Sequence, residues 1–509
     1  MRSYLYVLLL FSILVLWSSC RKDFEYGPSS GNLEFSRDTV YLDTIFSNIG
    51  SSTYSFKVYN RTRDDILIPS IRLNQGQESG YRLNVDGVAG KEFMDVPILA
   101  RDSLFVFVET TFDVSETNEV NFLYTDAVQF DSGSFLQEVQ LVTLVKDAVF
   151  LYPSTSSMGT TETIDVGMDG NGGILQVEGF FLQDDQLNFT NEKPYVIYGY
   201  AAVPSGRTLQ IDAGTRVHFH QDSGIYVSDN ASLQVNGQLS TDTTSQENEV
   251  IFEGDRLEPQ FENVPGQWGT IWLSPGSSAD MDYLTIKNAS IGMLVQGSPS
   301  SLSPILSLNN TQIHNSANIN LWAQNADISA ENCVLGSAGR ASLYCNNGGS
   351  YDFRHCTIAN YWTNGPRQGA ALQIDNFSTF GASDLVKAHF ANCIVDGNAA
   401  LELLLTPNEI NAFNFTFLNC LIKFKDDRGQ FAQDPLYDFE NGTSYQNIFL
   451  NLDTDFVDPS QNDFSIQESS RARDQGDIGT AQTVPLDIRG NDRTQTPDIG
   501  AYENSPNAL

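Results

Sequence analysis

Basic residues are scarce in this chain. Lys and Arg total 28 against 63 Asp and Glu, a formal charge of -35 over 509 residues. That balance repels phosphate backbones and anionic lipid headgroups, and it argues against nucleic acid as a partner. Long apolar runs are also missing. The one near-continuous stretch, residues 4–17, falls short of the roughly 20 residues that cross a bilayer as a helix. The six cysteines include no CxxC pair and the five histidines no cluster, so neither a zinc site nor another cofactor is expected. No segment repeats with a helical period. What is present is 41% hydrophobic, too apolar for disorder, and too long for one ordinary core. Two or three domains, or one elongated repeat, follow from that.

The N-terminus reads as an address. Arg2, the apolar run and the small residues Ser18 and Ser19 make a secretory signal. Ser18-Ser19-Cys20 resembles a bacterial lipobox, in which the cysteine thiol is lipidated and becomes the new N-terminus. The third residue before the cysteine is usually Leu in that pattern; here it is Trp17, with Leu16 one step earlier. The resemblance implies a signal peptide at 1–19, a lipidated Cys20, a tether at 20–32 and a membrane partner held through several acyl chains. Arg21-Lys22-Asp23-Phe24-Glu25 loosely resembles the signals that send some Bacteroidetes lipoproteins to the outer face, and reads equally as a charged tether. The expected location is the outer membrane, on its surface or periplasmic face.

Residues 33–148 alternate apolar and polar in short runs. Residues 54–59, 64–73, 81–85, 103–108 and 136–145 are strand-like, and Asn74-Gln75-Gly76 and Asp86-Gly87 punctuate them. About seven short strands at this spacing predict an immunoglobulin-like β-sandwich.

Beyond residue 149 a repeat takes over. Residues 286–288, 308–310, 330–332, 353–355, 390–392 and 417–419 each place an apolar residue two positions before Asn or His. The last four continue with Cys333, Cys356, Cys393 and Cys420. From Asn288 the spacings are 22, 22, 23, 37 and 27. A period near 22 matches one winding of a parallel β-helix, with insertions in the two longer gaps. Asn suits a repeated corner because it tolerates the left-handed backbone of a sharp bend. Stacked amides hydrogen-bond from winding to winding, and the cysteines point inward, either as small buried hydrophobes or as disulfides.

Pro265-Gly266-Gln267-Trp268-Gly269, Ile286-Lys287-Asn288-Ala289, Ala213-Gly214-Thr215 and the closing Asp498-Ile499-Gly500-Ala501-Tyr502-Glu503 are similar to segments of the Bacteroidetes right-handed parallel β-helix lipoproteins, a pectate-lyase-like family with an N-terminal β-sandwich. The resemblance covers most of the chain. It implies an all-β fold: a sandwich at 33–148, a right-handed parallel β-helix at 149–480 and a C-terminal cap at 481–509. It implies no agreed activity.

Three functions are open. Enzymes that cut polysaccharides often use this fold, and they need a base, paired acids or acid-held calcium. The weak catalytic candidates are Asp352 and Arg354, alternating on one strand face, with Asp375 brought over them by the insertion. His218 and His220 share a strand face without a third ligand, and Asp165, Asp169 and Asn171 half resemble a calcium loop. The stronger lead is aromatic. Trp322, Tyr344, Tyr361 and Trp362 lie near coil edges beside polar residues, where flat rings suit sugar stacking, or else cover the core beneath a loop. The favoured expectation is a non-catalytic envelope lipoprotein that binds glycan or another surface ligand along an exposed coil face. A polysaccharide lyase or hydrolase, or a structural component joined to an envelope protein, are the alternatives.

Overall fold

The computed structural model describes residues 26–113, 121–168, 173–242, 244–297, 305–379 and 381–504. Cys20, Asp169 and Asn171 lie outside them. The chain is all-β. Among the described residues the one α-helix is the six-residue Ile478–Thr483, and no helix is long and apolar enough to cross a membrane. The chain divides into two compact units, 1–147 and 148–509.

In the first unit, alternation sets two sheets. Ser103–Thr110 buries Leu104, Val106 and Val108 on one face and pairs antiparallel with Tyr54–Tyr59 and Tyr81–Val85. Ile66–Leu73, Asn121–Phe130 and Gln137–Lys146 build the other sheet, which Thr39–Phe46 joins in parallel. Asp86 and Gly87, with φ of 49° and 86°, close a two-residue hairpin whose backbone demands positive φ at both positions. Val106 and Val108 from one sheet and Ile68, Val128 and Leu141 from the other share a single core.

The second unit is built from parallel ladders. One sheet has 11 strands and another 18; apart from the antiparallel pair Thr163–Met168 and Ile174–Phe181, the strand pairings in both are parallel and join strands roughly one repeat apart in sequence. Leu308, Ala330, Phe353, Phe390, Phe417 and Tyr445 are successive partners in one register column. Phe353, Phe390, Phe417 and Tyr445 stack at 5.2, 5.0 and 5.6 Å between centroids, wholly inside the core.

The corner residues fall into a column. Asn310, Asn332, His355, Asn392 and Asn419 all have φ between 47° and 54°. The column also takes in Asn447, whose amide donates to Asn419 Oδ1 at 3.2 Å. Asn288 does not belong to it. Lys287 pairs with His314, so Asn288 is level with Asn315, which donates to its Oδ1 at 2.6 Å at a different corner. Tyr283, φ 45°, holds the rung before Asn310 instead. The apparent spacing of 22 from Asn288 to Asn310 joined two different corners.

The amide ladder is interrupted where His replaces Asn. Asn332 donates to Asn310 Oδ1 at 3.0 Å, but its own Oδ1 is buried without a partner next to His355. Burial pushes the His355 imidazole well below its usual pKa, so its Nε2 accepts from Asn392 Nδ2 at 2.9 Å. Cys333, Cys356, Cys393 and Cys420 are fully buried free thiols whose Sγ atoms donate to backbone carbonyls, and burial raises the first three well above the ordinary thiol range. Cys345, off that column, is also buried and free, level with Ala323 and Ile374.

The end of the stack differs from expectation. The terminal rungs are plugged by Phe431, Leu436, Tyr437 and Phe439, packed on the core, with Tyr437 accepting from the Leu405 amide at 2.9 Å. The described part of the expected 481–509 cap, residues 481–504, instead lies along the flank of the 11-stranded sheet. Phe464, Ile488, Ile499 and Ala501 cover Val334, Ala359, Ile394 and Leu421, one residue from each of four rungs. The corner amides of Asn332, Asn392 and Asn419 donate to Leu486, Asp477 and Gln475 carbonyls. Asp487 gathers the Arg489, Asn491 and Glu503 amides, and Arg493 is buried against the Gly500 and Ala501 carbonyls. The closing motif is therefore a clasp across successive strands of that sheet.

Candidate functional site

The four aromatic candidates are spent on packing. Trp322 and Tyr344 are level on adjacent strands and stack on one another at 6.1 Å and 11°. The Arg340 guanidinium covers the Tyr344 ring at 4.9 Å, and the Tyr344 hydroxyl donates to Asp375. Tyr361 packs on Phe456 and Phe464 and donates to Asp396. Trp362 is only 8% exposed, with its amide bonded to Asn360 and its carbonyl to Asn398. Trp322 and Tyr344 meet each other and the Arg340 guanidinium, Tyr361 meets the Phe456 and Phe464 rings, and Trp362 is buried, so the four do not share one open stacking face. The insertion that carries Trp362 is pinned by a buried pair, Arg367 to Glu402 at 2.7 Å.

The catalytic candidates do not assemble either. Asp352 and Arg354 do meet, at 3.1 Å, and Glu331 and Lys387 join them. Half-burial raises the Asp352 carboxyl, but bonds from Lys387 and Arg354 outweigh it and hold it below the usual carboxylate range. That is a closed ion network with every charge matched. Asp375 is elsewhere, accepting from Tyr344, Asn346 and the Asn347 amide. Among the described residues no group of three His, Cys, Asp or Glu is arranged to hold a metal.

A cleft of about 1020 Å³ opens where the sequence did not announce one. Tyr152, Tyr198, Tyr200, His220, Glu178 and Asp222 line it: Tyr198 and Tyr200 from one turn, His220 and Asp222 from the 220–223 connection, Glu178 from the strand Ile174–Phe181 and Tyr152 from just after Val149–Leu151. Two glycines make room for the floor. A Cβ at Gly269 would come within 2.4 Å of the Tyr200 hydroxyl, and one at Gly224 within 2.7 Å of its ring. Burial, aided by the Asp222 charge, pushes the Tyr200 phenol up to about 12, so it stays protonated. Tyr152 stands at the rim, 66% exposed.

His220 is held in a fixed pose. Its Nδ1 bonds Asp255 Oδ2 at 2.7 Å, and its ring stacks on Tyr198 at 4.4 Å. The bond to Asp255 raises its pKa. His218 is separate: it lies within the strand Arg216–Phe219, is buried, and faces the Gly254 carbonyl and Glu253. The two histidines therefore have different carboxylate partners and do not form a metal pair. The usable signal in the sequence was the pair of glycines beside a tyrosine-rich strand, but nothing in the linear pattern tells which ring needs the space.

No family model matches the chain, and no curated protein matches it. Solved structures with partial likeness include an ASH/PapD-like domain of human CEP192, at 10% identity over 26% of this chain and 94% of that one, TM-score 0.16. The periplasmic chaperone SfaE is 11% identical over 23% of this chain and 57% of its own, TM-score 0.15. A family 123 glycoside hydrolase from Clostridium perfringens is 5% identical over 40% and 69%, TM-score 0.16. At such scores these likenesses carry no argument for fold or function.

Proposed function

We propose that this chain is a non-catalytic cell-envelope lipoprotein, anchored at the outer membrane through Cys20, that binds a glycan in the Tyr152–His220 cleft. In this reading the 33–148 segment is an immunoglobulin-like sandwich and the second unit a right-handed parallel β-helix of the pectate-lyase-like lipoprotein kind. Support for the helix reading is the register column that advances one rung per repeat, with positive-φ corner residues level with one another.

The single observation that carries the binding reading is a roomy cleft lined by tyrosines and by fixed polar groups. Ligand sites are concave, mostly apolar, and furnished with a few oriented polar groups. Pyranose faces stack on tyrosine, and sugar rims bond to carboxylates and amides. The test is a glycan array probed with the ectodomain from residue 21, and again with Tyr198→Ala. Binding lost in the variant is the expected result; a blank array contradicts the reading.

One observation favours the enzyme alternative. Asp255 orients His220 through Nδ1, and Nε2 has no hydrogen-bond partner among the described residues, the arrangement of a positioned base. Shortened or unsaturated products from polysaccharide incubations, abolished by His220→Gln, would select it.

A further inference from the structure

The charge of the cleft narrows its ligand. Glu178 and Asp222 line it, Asp255 lies behind His220, and no Lys or Arg is among its lining residues. Arg256, whose charge acts on His220, is occupied by Glu258 at 3.0 Å and by the Phe261 ring at 4.0 Å. His220 is the one lining group able to turn positive, and Asp255 offsets that charge when it does. The wall is negative in either state. A ligand carboxylate at about 5 Å from one wall carboxylate is disfavoured roughly fourfold at the dielectric of water, and over a hundredfold at an effective value of 20. The whole-chain charge of -35 adds to the repulsion on approach. Neutral hydrogen-bonding groups are plentiful: Gln221, Thr155, Thr161, Thr270 and Ser290 all reach the lining.

Resting on the glycan reading above, we infer that the cleft takes an uncharged saccharide, a polymer of hexose or N-acetylhexosamine, and rejects polyuronates. Tyr152, exposed at the rim, supplies the open stacking face, Tyr198, braced on one side by His220, supplies the second ring, and Glu178 and Asp222 accept from ring hydroxyls. A lyase acting on acidic glycans is thereby disfavoured, since nothing in this wall neutralises a substrate carboxylate.

The test is calorimetric titration of the ectodomain with cello-, malto-, manno-, xylo- and chitohexaose, and with hexagalacturonate. At least one neutral hexaose binds, with affinity unchanged between 50 and 500 mM salt, as expected for an uncharged ligand (about a threefold change in screening length). Tyr198→Ala weakens it at least tenfold and Glu178→Gln about three- to tenfold. If hexagalacturonate binds more tightly than every neutral hexaose, this inference falls and the glycan reading survives. If a neutral hexaose binds and Tyr152→Ala and Tyr198→Ala leave it untouched, the cleft is the wrong place. If none of the six binds, both readings fall.

Discussion

The rungs from Leu306 onward and those before Ile291 use the same kind of strand to opposite ends. In the later rungs each winding repeats the one before, so side chains find partners in their own copies. Phenylalanines stack on phenylalanines, corner amides bond corner amides, and Trp322 meets Tyr344. In the earlier rungs the repeat is broken by the turn at residues 152–162 and by the long connections at 237–249 and 255–270. There Tyr198 and His220, level just past the ends of adjacent strands, still stack on each other, but Tyr152 stands exposed at the rim and a cleft remains. Regular stacking fills the space between rungs, and irregularity leaves a concave opening beside it.

The sharpest way to break that comparison is to damage the regular half. Asn392 is fully buried, has φ 54°, and bonds His355, the Asp477 amide and the Asp477 carbonyl. Asn392→Ala should cost about 3–5 kcal/mol, from left-handed strain plus two or three lost bonds. Asn447→Ala, with one exposed bond, should cost about 1 kcal/mol plus the strain. Urea denaturation read by fluorescence checks both, and equal effects would contradict the role given to the clasp. Trp362→Ala should then cost about 3–4 kcal/mol, as for a truncated buried aromatic, with glycan affinity unchanged. A lost affinity without a stability change would restore Trp362 to an open binding face.

Gly269→Ala sharpens the other half. Its methyl meets the Tyr200 hydroxyl and the Ser223 carbonyl, so Tyr200 must move into the cleft. Stability should fall by about 1–3 kcal/mol, as for overpacking, and ligand binding should fall with it. The clasp adds a dependence on pH. Burial, with Asp498 beside it, lifts the Glu503 carboxyl to about 8 despite Arg493. The folded state thus holds a proton that the unfolded chain releases near pH 4.5, so stability should decline as pH rises from about 4.5 to 8. Glu503→Gln should flatten that slope in thermal melts; a steeper slope would contradict it.

Much of the later half was legible because repetition writes itself into the sequence. The Asn-Cys tandems at 332, 392 and 419 mark corner and core together, and the structure has them level. Asn288 misled because a chance spacing of 22 joined two corners, and only strand register separates them. The clasp was legible as turn-rich sequence but not as a flank cover, since Ile488 and Ile499 carry no sign of which sheet they meet. The cleft was least legible. Tyr152, Tyr198, His220 and Asp255 are spread over about a hundred residues without a motif, and only the fold brings Asp255 to His220. The aromatic candidates were chosen for their ring chemistry, which cannot reveal that a neighbour already occupies the ring.

The most direct measurement is hydrogen–deuterium exchange of the ectodomain with and without the saccharide it retains on the array. Protection should concentrate at 152–161, 198–203 and 219–227. Protection confined to 319–331 and 341–354, with the cleft unchanged, would contradict the account.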